Sequence, residues 1–366
     1  MDSPHFINEH GGLNPQELFR LGLDPAEVID FSVNSNPFRP SPAVLAAVRA
    51  LDISTYPDRN CYRLRESLAE WNQVGIDNIL AGNGSAELIW IIARALLKVG
   101  DAVVVAAPTF GEYQRAVTAL GAHVISVSAQ PPQFKVDLKE VLKAATAQHA
   151  RLVFLCNPNN PTGQFIPDEE ITALARSLRP GCLLVLDEAY RAFVPGIGLP
   201  HSFGDQTILL RSMTKDFALA GLRLGYVIAR SEIIAELSRF QPTWSVNSLA
   251  QAAGYAVRKE LPYYRDTWQR LREIKTGLFA TLAAENYDVL ATDVHFALIR
   301  TKEAAGKVHE QLLNRSILVR DCASFGLPQY IRVSARLPEQ NQMLINAFAE
   351  IRSSFKITHS VSKKDK

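Results

Sequence analysis

Between about residues 76 and 228, short apolar runs alternate with longer stretches in which apolar positions recur every three or four residues. NILAG is followed by SAELIWIIARALL, DAVVVAA by TFGEYQRAVTALG, and RLVFLCN by PDEEITALARSL. The first kind of segment predicts strands and the second amphipathic helices, so the alternation predicts an α/β fold with a mainly parallel sheet. CLLVLDE, TILLRS and LRLGYVIA extend the series, and each is almost wholly apolar, as strands covered on both faces must be. Sites in such sheets gather at the carboxyl ends of strands. The polar clusters of this chain fall there.

After a helical stretch at about 248–285 the pattern changes. VLATDVHFALIRT, ILVRD and YIRVSA read as strands, and EAAGKVHEQLLNR and PEQNQMLINAFAEIRSSF as helices. At 366 residues the chain is long for a single core. The expected organisation is an N-terminal arm over 1–50, with Pro-rich turns, packing with a smaller domain; a large domain over 51–255; that smaller α+β domain over 256–355; and a disordered polar tail over 356–366.

With 47% hydrophobic and 21% charged residues and a net charge of +2, the chain has neither a nucleic-acid nor a membrane surface as its main feature. Its four cysteines are widely spaced with no C-x-x-C pair, which argues against a metal site or a disulfide framework. The start, MDSPHFINEHGG, lacks the apolar core of a signal peptide, and LIWIIARALL is too short to span and carries Arg94. A cytoplasmic protein is expected.

Four strand-end motifs carry candidate chemistry. LAGNGSAE sets two glycines and Ser85 where a strand turns into a helix, so free backbone amides can hold a phosphate, although a plain turn has the same appearance. LCNPNNPTG follows a buried strand with a rigid loop of side-chain amides. LLVLDEAY ends another with Asp187, Glu188 and Tyr190; a carboxylate there needs a cationic or hydrogen-bonding partner, such as a protonated heterocycle nitrogen, unless it caps a helix. RSMTKDFALAGLRLGYV places Ser212, Thr214, Lys215 and Arg223 around one strand end.

Together these motifs resemble the fold-type I pyridoxal-phosphate enzymes of the aminotransferase class I and II family, in order from about Asn34 to Arg332. The resemblance implies an aspartate-aminotransferase-like fold and pyridoxal 5'-phosphate as cofactor, bonded to Lys215 as a Schiff base. It implies that Asp187 pairs with the pyridinium nitrogen, that Tyr190 and Asn160 bond the ring's phenolic oxygen, and that Phe110 stacks on the ring. Ser85, the Ala86 amide, Ser212, Thr214 and Arg223 would hold the cofactor, with Tyr56 reaching in from a second subunit of a homodimer. Arg332 matches the family's carboxylate-binding arginine. His10, Gly11, Ser32, Asn34, Asn160 and Arg320 complete the substrate contacts, with His10 and Arg320 facing a substrate phosphate.

Within the family, two relatives acting on phosphorylated amines stand nearest: L-threonine-O-3-phosphate decarboxylase of cobalamin synthesis and histidinol-phosphate aminotransferase. HGG at His10 to Gly12, PTWSVN at Pro242 to Asn247 and ILVRDCASF at Ile317 to Phe325 favour the decarboxylase, a lyase releasing carbon dioxide and 1-amino-2-propanol phosphate. The two chemistries differ in whether the Cα–H or the Cα–carboxylate bond stands perpendicular to the ring. One rival comes from another class. Ser212-Met-Thr-Lys215, Ser245-Val-Asn247 and Lys275-Thr-Gly277 follow the S-x-x-K, S-x-N, K-T-G order of penicillin-recognising serine hydrolases. Lys275, however, lies in a stretch of helical periodicity, where that reading needs a strand. A pocket retained only for binding is the other alternative; against it, every expected cofactor position carries a competent residue.

Overall fold

The computed structural model describes residues 11–196 and 203–361, with side chains to residue 352. It divides into two compact units, one comprising Phe38–Gln269 with Thr292–Val294 and the other the chain up to Pro37, Arg270–Ala291 and the chain from His295 onward. The division falls within the helix Leu261–Ala284, and helix Pro42–Arg49 belongs to the larger unit.

The larger unit is built on a seven-stranded sheet. In chain order its strands are β1 (Ile79–Gly82), β2 (Ala102–Ala107), β3 (His123–Ser128), β4 (Leu152–Cys156), β5 (Leu183–Asp187), β6 (Thr207–Ser212) and β7 (Gly225–Ile228). They lie side by side as β1-β7-β6-β5-β4-β2-β3. β7 runs antiparallel to both neighbours and every other pairing is parallel. Every residue of β4, β5 and β6 is buried, which is why these runs carry no alternation. The edge strand β3 has no buried residue, only exposed and half-buried ones.

One face of this sheet carries helices α1 (Gly84–Leu96) and α2 (Glu112–Thr118), whose Leu88, Ile92, Tyr113 and Val117 join Val103, Phe154, Val185 and Leu210 in one apolar core. Each fully buried aliphatic side chain of this kind is worth about 1.5–3 kcal/mol.

VLATDVHFALIRT is not one strand: its first residue ends β8 (Asp288–Val289) and its later part forms β9 (Phe296–Arg300), paired antiparallel with β8. ILVRD also divides. Ile317–Leu318 pairs in parallel with Ile29–Asp30, while β10 (Arg320–Asp321) pairs with β11 (Tyr330–Ser334), so one short run serves two sheets. The last helix spans Pro338–Val361. Among the described residues no helix is long and apolar enough to cross a membrane.

Candidate functional site

Asp187 is the last residue of β5, a central strand, so its backbone is locked in the ladder while its side chain leaves the apolar core. The carboxylate is 3% exposed. Its Oδ2 accepts from the Tyr113 hydroxyl at 2.7 Å and its Oδ1 from the Ala189 N–H at 3.0 Å. Burial pushes its pKa up to about 6, opposed by those two donors and by the Lys215 ammonium, and assisted by the neighbouring Glu188 charge. The same burial, with the Asp187 charge, holds the Tyr113 phenol and the Cys156 thiol well above their ordinary values, so both remain protonated. Asp187 is therefore a carboxylate short of one cation, the condition a protonated ring nitrogen meets.

A second set of groups surrounds the N-terminus of α1. The strand ends Gly82 of β1 and Ser212 of β6 both face Gly225 at the start of β7. A Cβ at Gly225 would stand 2.8 Å from the Ser85 nitrogen and 2.9 Å from the Arg211 carbonyl, both backbone atoms that cannot yield. A Cβ at Gly84, whose φ is +82, would stand 2.8 Å from Nη2 of Arg223. The two glycines thus let the helix terminus, strand β6 and the Arg223 guanidinium converge. Arg223 itself adopts φ 57 and its Nη1 donates to the Ala220 carbonyl at 3.1 Å. The Ser212 and Thr214 hydroxyls, both buried, share a hydrogen bond of 2.6 Å. Glu87 steadies the helix start, accepting from the Asn83 N–H at 2.7 Å and from the Ser245 hydroxyl.

The loop after β4 is ordered by its own amides. Asn157 closes a pair of bonds with the Ile166 backbone, at 2.8 and 2.9 Å, and Asn159 joins the Pro108 carbonyl, the Thr109 hydroxyl and the Thr162 hydroxyl. Asn160 is buried and its backbone N–H is directed at the Cys156 sulfur. Phe110 packs edge-on against Tyr113, their ring centroids 5.8 Å apart, and Tyr190 is buried just beyond Asp187. Tyr56 is 80% exposed and stacks on Trp244 at 4.7 Å.

In the smaller unit, Gly11 packs on Ser32, whose hydroxyl accepts from the Gly12 N–H at 2.7 Å and donates to Asp30 at 2.6 Å. The Ser32 carbonyl accepts from Arg332. Arg320 and Arg332 are both 4% exposed and stand directly opposite each other in the β10–β11 pair. Arg320 also donates to the Ser324 hydroxyl at 2.5 Å. Asn34 is buried in the same unit, and His10 lies outside the described residues.

The larger unit brings together Ser85, Ala86, Ser212, Thr214 and Arg223 around one helix start, with Asp187 and Lys215 within electrostatic reach of each other. These groups fit pyridoxal phosphate. Helix amides, hydroxyls and a guanidinium suit a phosphate, an amine suits an aldehyde, and a buried carboxylate suits a ring N–H. Sequence reasoning missed Tyr113, although its place three residues after Phe110 in PTFGEY was a signal, since helical spacing puts i and i+3 on one face. For the hydrolase reading, Lys275 lies inside the helix Leu261–Ala284.

The family model described as aminotransferase class I and II matches residues 26–348. Histidinol-phosphate aminotransferase of Symbiobacterium thermophilum is 36% identical over 339 residues, 91% of this chain and 93% of that protein. Relatives between 31 and 36% identical share its name. Among solved structures, histidinol-phosphate aminotransferase of Sinorhizobium meliloti, in complex with pyridoxal-5'-phosphate, has a TM-score of 0.86 at 24% identity, covering 97% of this chain and 99% of that one. L-threonine-O-3-phosphate decarboxylase of Porphyromonas gingivalis has a TM-score of 0.77 at 25% identity, covering 88% and 99%.

The names of the curated relatives overturn the expected decarboxylation of threonine phosphate, and with it the lyase and cobalamin assignments. The patches that suggested it carry structural duties. Asn247 of PTWSVN caps helix Ser248–Lys259 by accepting from the Ala250 N–H at 2.8 Å, Trp244 stacks on Tyr56, and ILVRD supplies strand pairs to two sheets. Such duties do not discriminate between two chemistries on one fold.

Proposed function

Because this chain belongs to the aminotransferase class I and II family, whose members work with pyridoxal phosphate, we propose that it transfers the amino group of histidinol phosphate to 2-oxoglutarate. The observation that carries this reading is the shared name of relatives up to 36% identical over about nine-tenths of the chain. When bound, pyridoxal phosphate supplies an electron sink for the charge released at the amino-bearing carbon.

The chain's own residues do the rest. Asp187, kept from water and lacking a full cationic partner, holds a proton on the ring nitrogen, and Tyr113 keeps the carboxylate oriented. Lys215 moves the proton at the reacting carbon, a role its compact, readily shifted ammonium suits. Ser85, Ser212, Thr214, Arg223 and the α1 amides anchor the cofactor phosphate, Phe110, Asn160 and Tyr190 take the ring, and Arg320 and Arg332 take the anionic groups of the substrates. Tyr56 contributes from the second subunit of a homodimer.

The test is product analysis by mass. Purified protein with cofactor, histidinol phosphate and 2-oxoglutarate should yield glutamate in amounts matching the amine consumed, and omission of 2-oxoglutarate should stop turnover after one equivalent. Carbon dioxide released from threonine phosphate without any keto-acid acceptor would overturn the reading.

A further inference from the structure

On the face of the sheet opposite Asp187 runs a line of buried charge that the chemistry above does not use. Successive strand residues point to opposite faces, so Glu188 turns away from Asp187 and Arg211 away from Ser212. The Glu188 carboxylate is wholly buried. Its Oε2 accepts from Nε of Arg211 at 2.9 Å, and its Oε1 lies 3.4 Å from Nη1 of Arg191. Arg191 passes the chain of charge on to Asp168 with two bonds, at 2.9 and 2.5 Å, and Arg211 passes it to the Asn72 carbonyl oxygen, whose amide donates to Leu68 and Tyr226. Glu188 also donates its backbone N–H to Leu210 at 2.8 Å.

We propose that Glu188 is a positioning residue: its carboxylate, clamped between the guanidinium groups of Arg211 and Arg191, holds the ends of β5 and β6 together and so sets Asp187 and Ser212 for the cofactor. Arg211 precedes Ser212 directly, and its carbonyl is one of the atoms a Cβ at Gly225 would strike, so the clamp reaches the anion cradle as well as the carboxylate. Glu188 is a single negative charge between two buried positive ones. Its removal takes one buried negative charge from beside Arg211 and from behind Asp187, so its loss is read in the titration of Asp187 as well as in stability. The inference rests on the cofactor and not on the identity of the amino donor.

The titratable groups that act on Asp187 are Tyr113 from α2, Cys156 from β4, Lys215 and, from the opposite face, the adjoining Glu188. Replacing Glu188 by Gln removes a charge that raises the Asp187 pKa, so Asp187 stays ionised to lower pH. The experiment is the dissociation constant of pyridoxal phosphate from the full chain, measured by fluorescence between pH 5 and 8. With Asp187 pushed up to about 6 by burial, binding to the native chain should weaken as pH falls through that value. In Glu188→Gln we expect binding at pH 8 to loosen about tenfold and the acid weakening to move down by on the order of one pH unit, the direction set by loss of the Glu188 charge. In Glu188→Gln combined with Arg211→Met, the Glu188 charge is still missing, so the looseness at pH 8 should remain. If the acid limb of Glu188→Gln coincides with that of the native chain, or the double variant binds as tightly at pH 8 as the native chain, the proposal fails. Should Glu188→Gln not fold, Glu188→Asp keeps the charge but shortens the clamp. Looser binding at pH 8 with an unmoved acid limb then supports the proposal, and native affinity overturns it.

Discussion

Two buried titratable groups carry opposite signs of pH dependence. Asp187 has its pKa raised from 3.8 to about 6 by burial. Between those values the unfolded chain has released its proton and the folded chain has kept it, so stability falls as pH rises through that window and the cost is complete above it. At roughly 1.4 kcal/mol per pH unit this is about 3 kcal/mol. Asp187→Asn should therefore stabilise the cofactor-free chain at pH 8 relative to native, with the advantage gone below about pH 4; urea midpoints at the two pH values check it. His295 shows the reverse. It is 2% exposed, and burial, with the charges of Arg336, Arg332 and Lys275, pushes it down to about 3. From about pH 6.5 downward the unfolded chain takes a proton that the folded chain refuses until about pH 3, so stability falls with acid. His295→Asn should keep its urea midpoint between pH 7.5 and 4.5 better than the native chain does; an equal loss in both would refute this.

Among the elements, β7 decides most about the cradle. It is the one antiparallel strand of the large sheet, and it ends the series between β1 and β6, which lets Gly82, Ser212 and the start of α1 meet at Gly225. Gly225→Ala presses a methyl group against backbone atoms on two sides. Overpacking of this kind costs about 1–3 kcal/mol, and the α1 terminus must move. We expect a lower melting temperature and pyridoxal phosphate bound at least about tenfold more weakly, because displaced amides lose charge-assisted bonds to the phosphate. Gly277→Ala, where a Cβ meets nothing within 4 Å, serves as the control. LRLGYVIA was legible as a strand; its direction was not, because burial on both faces removes any mark of orientation. Likewise VLATDVHFALIRT read as one strand, but only its first residue and its later part lie in strands, since the apolar count does not register the turn that Thr292 forms by accepting from the Val294 N–H at 3.2 Å.

At the scale of the molecule, the resemblance assigns Tyr56 to the site of a second copy, and its 80% exposure leaves its phenol accessible in the single chain. If the homodimer shares its sites in this way, mixing Lys215→Ala with Tyr56→Ala after dissociation and reassociation should recover roughly a quarter of native activity, because half the dimers are hybrids with one complete site of two. Recovery no greater than the sum of the separate variants would place Tyr56 outside the partner's site. Sedimentation of the mixture establishes that dimers have formed.

The alternation of strands and helices in the larger unit, the burial of the central sheet and the residue types at its strand ends were determined by the sequence alone, because periodicity and composition report directly on which faces meet water. The approach of Arg223 to Gly84, the bond from Tyr113 to Asp187 and the Glu188 clamp between two arginines were decided only by the tertiary structure. Each joins groups from separate elements, and the free energy of such a contact depends on distance and desolvation, neither of which a linear pattern contains.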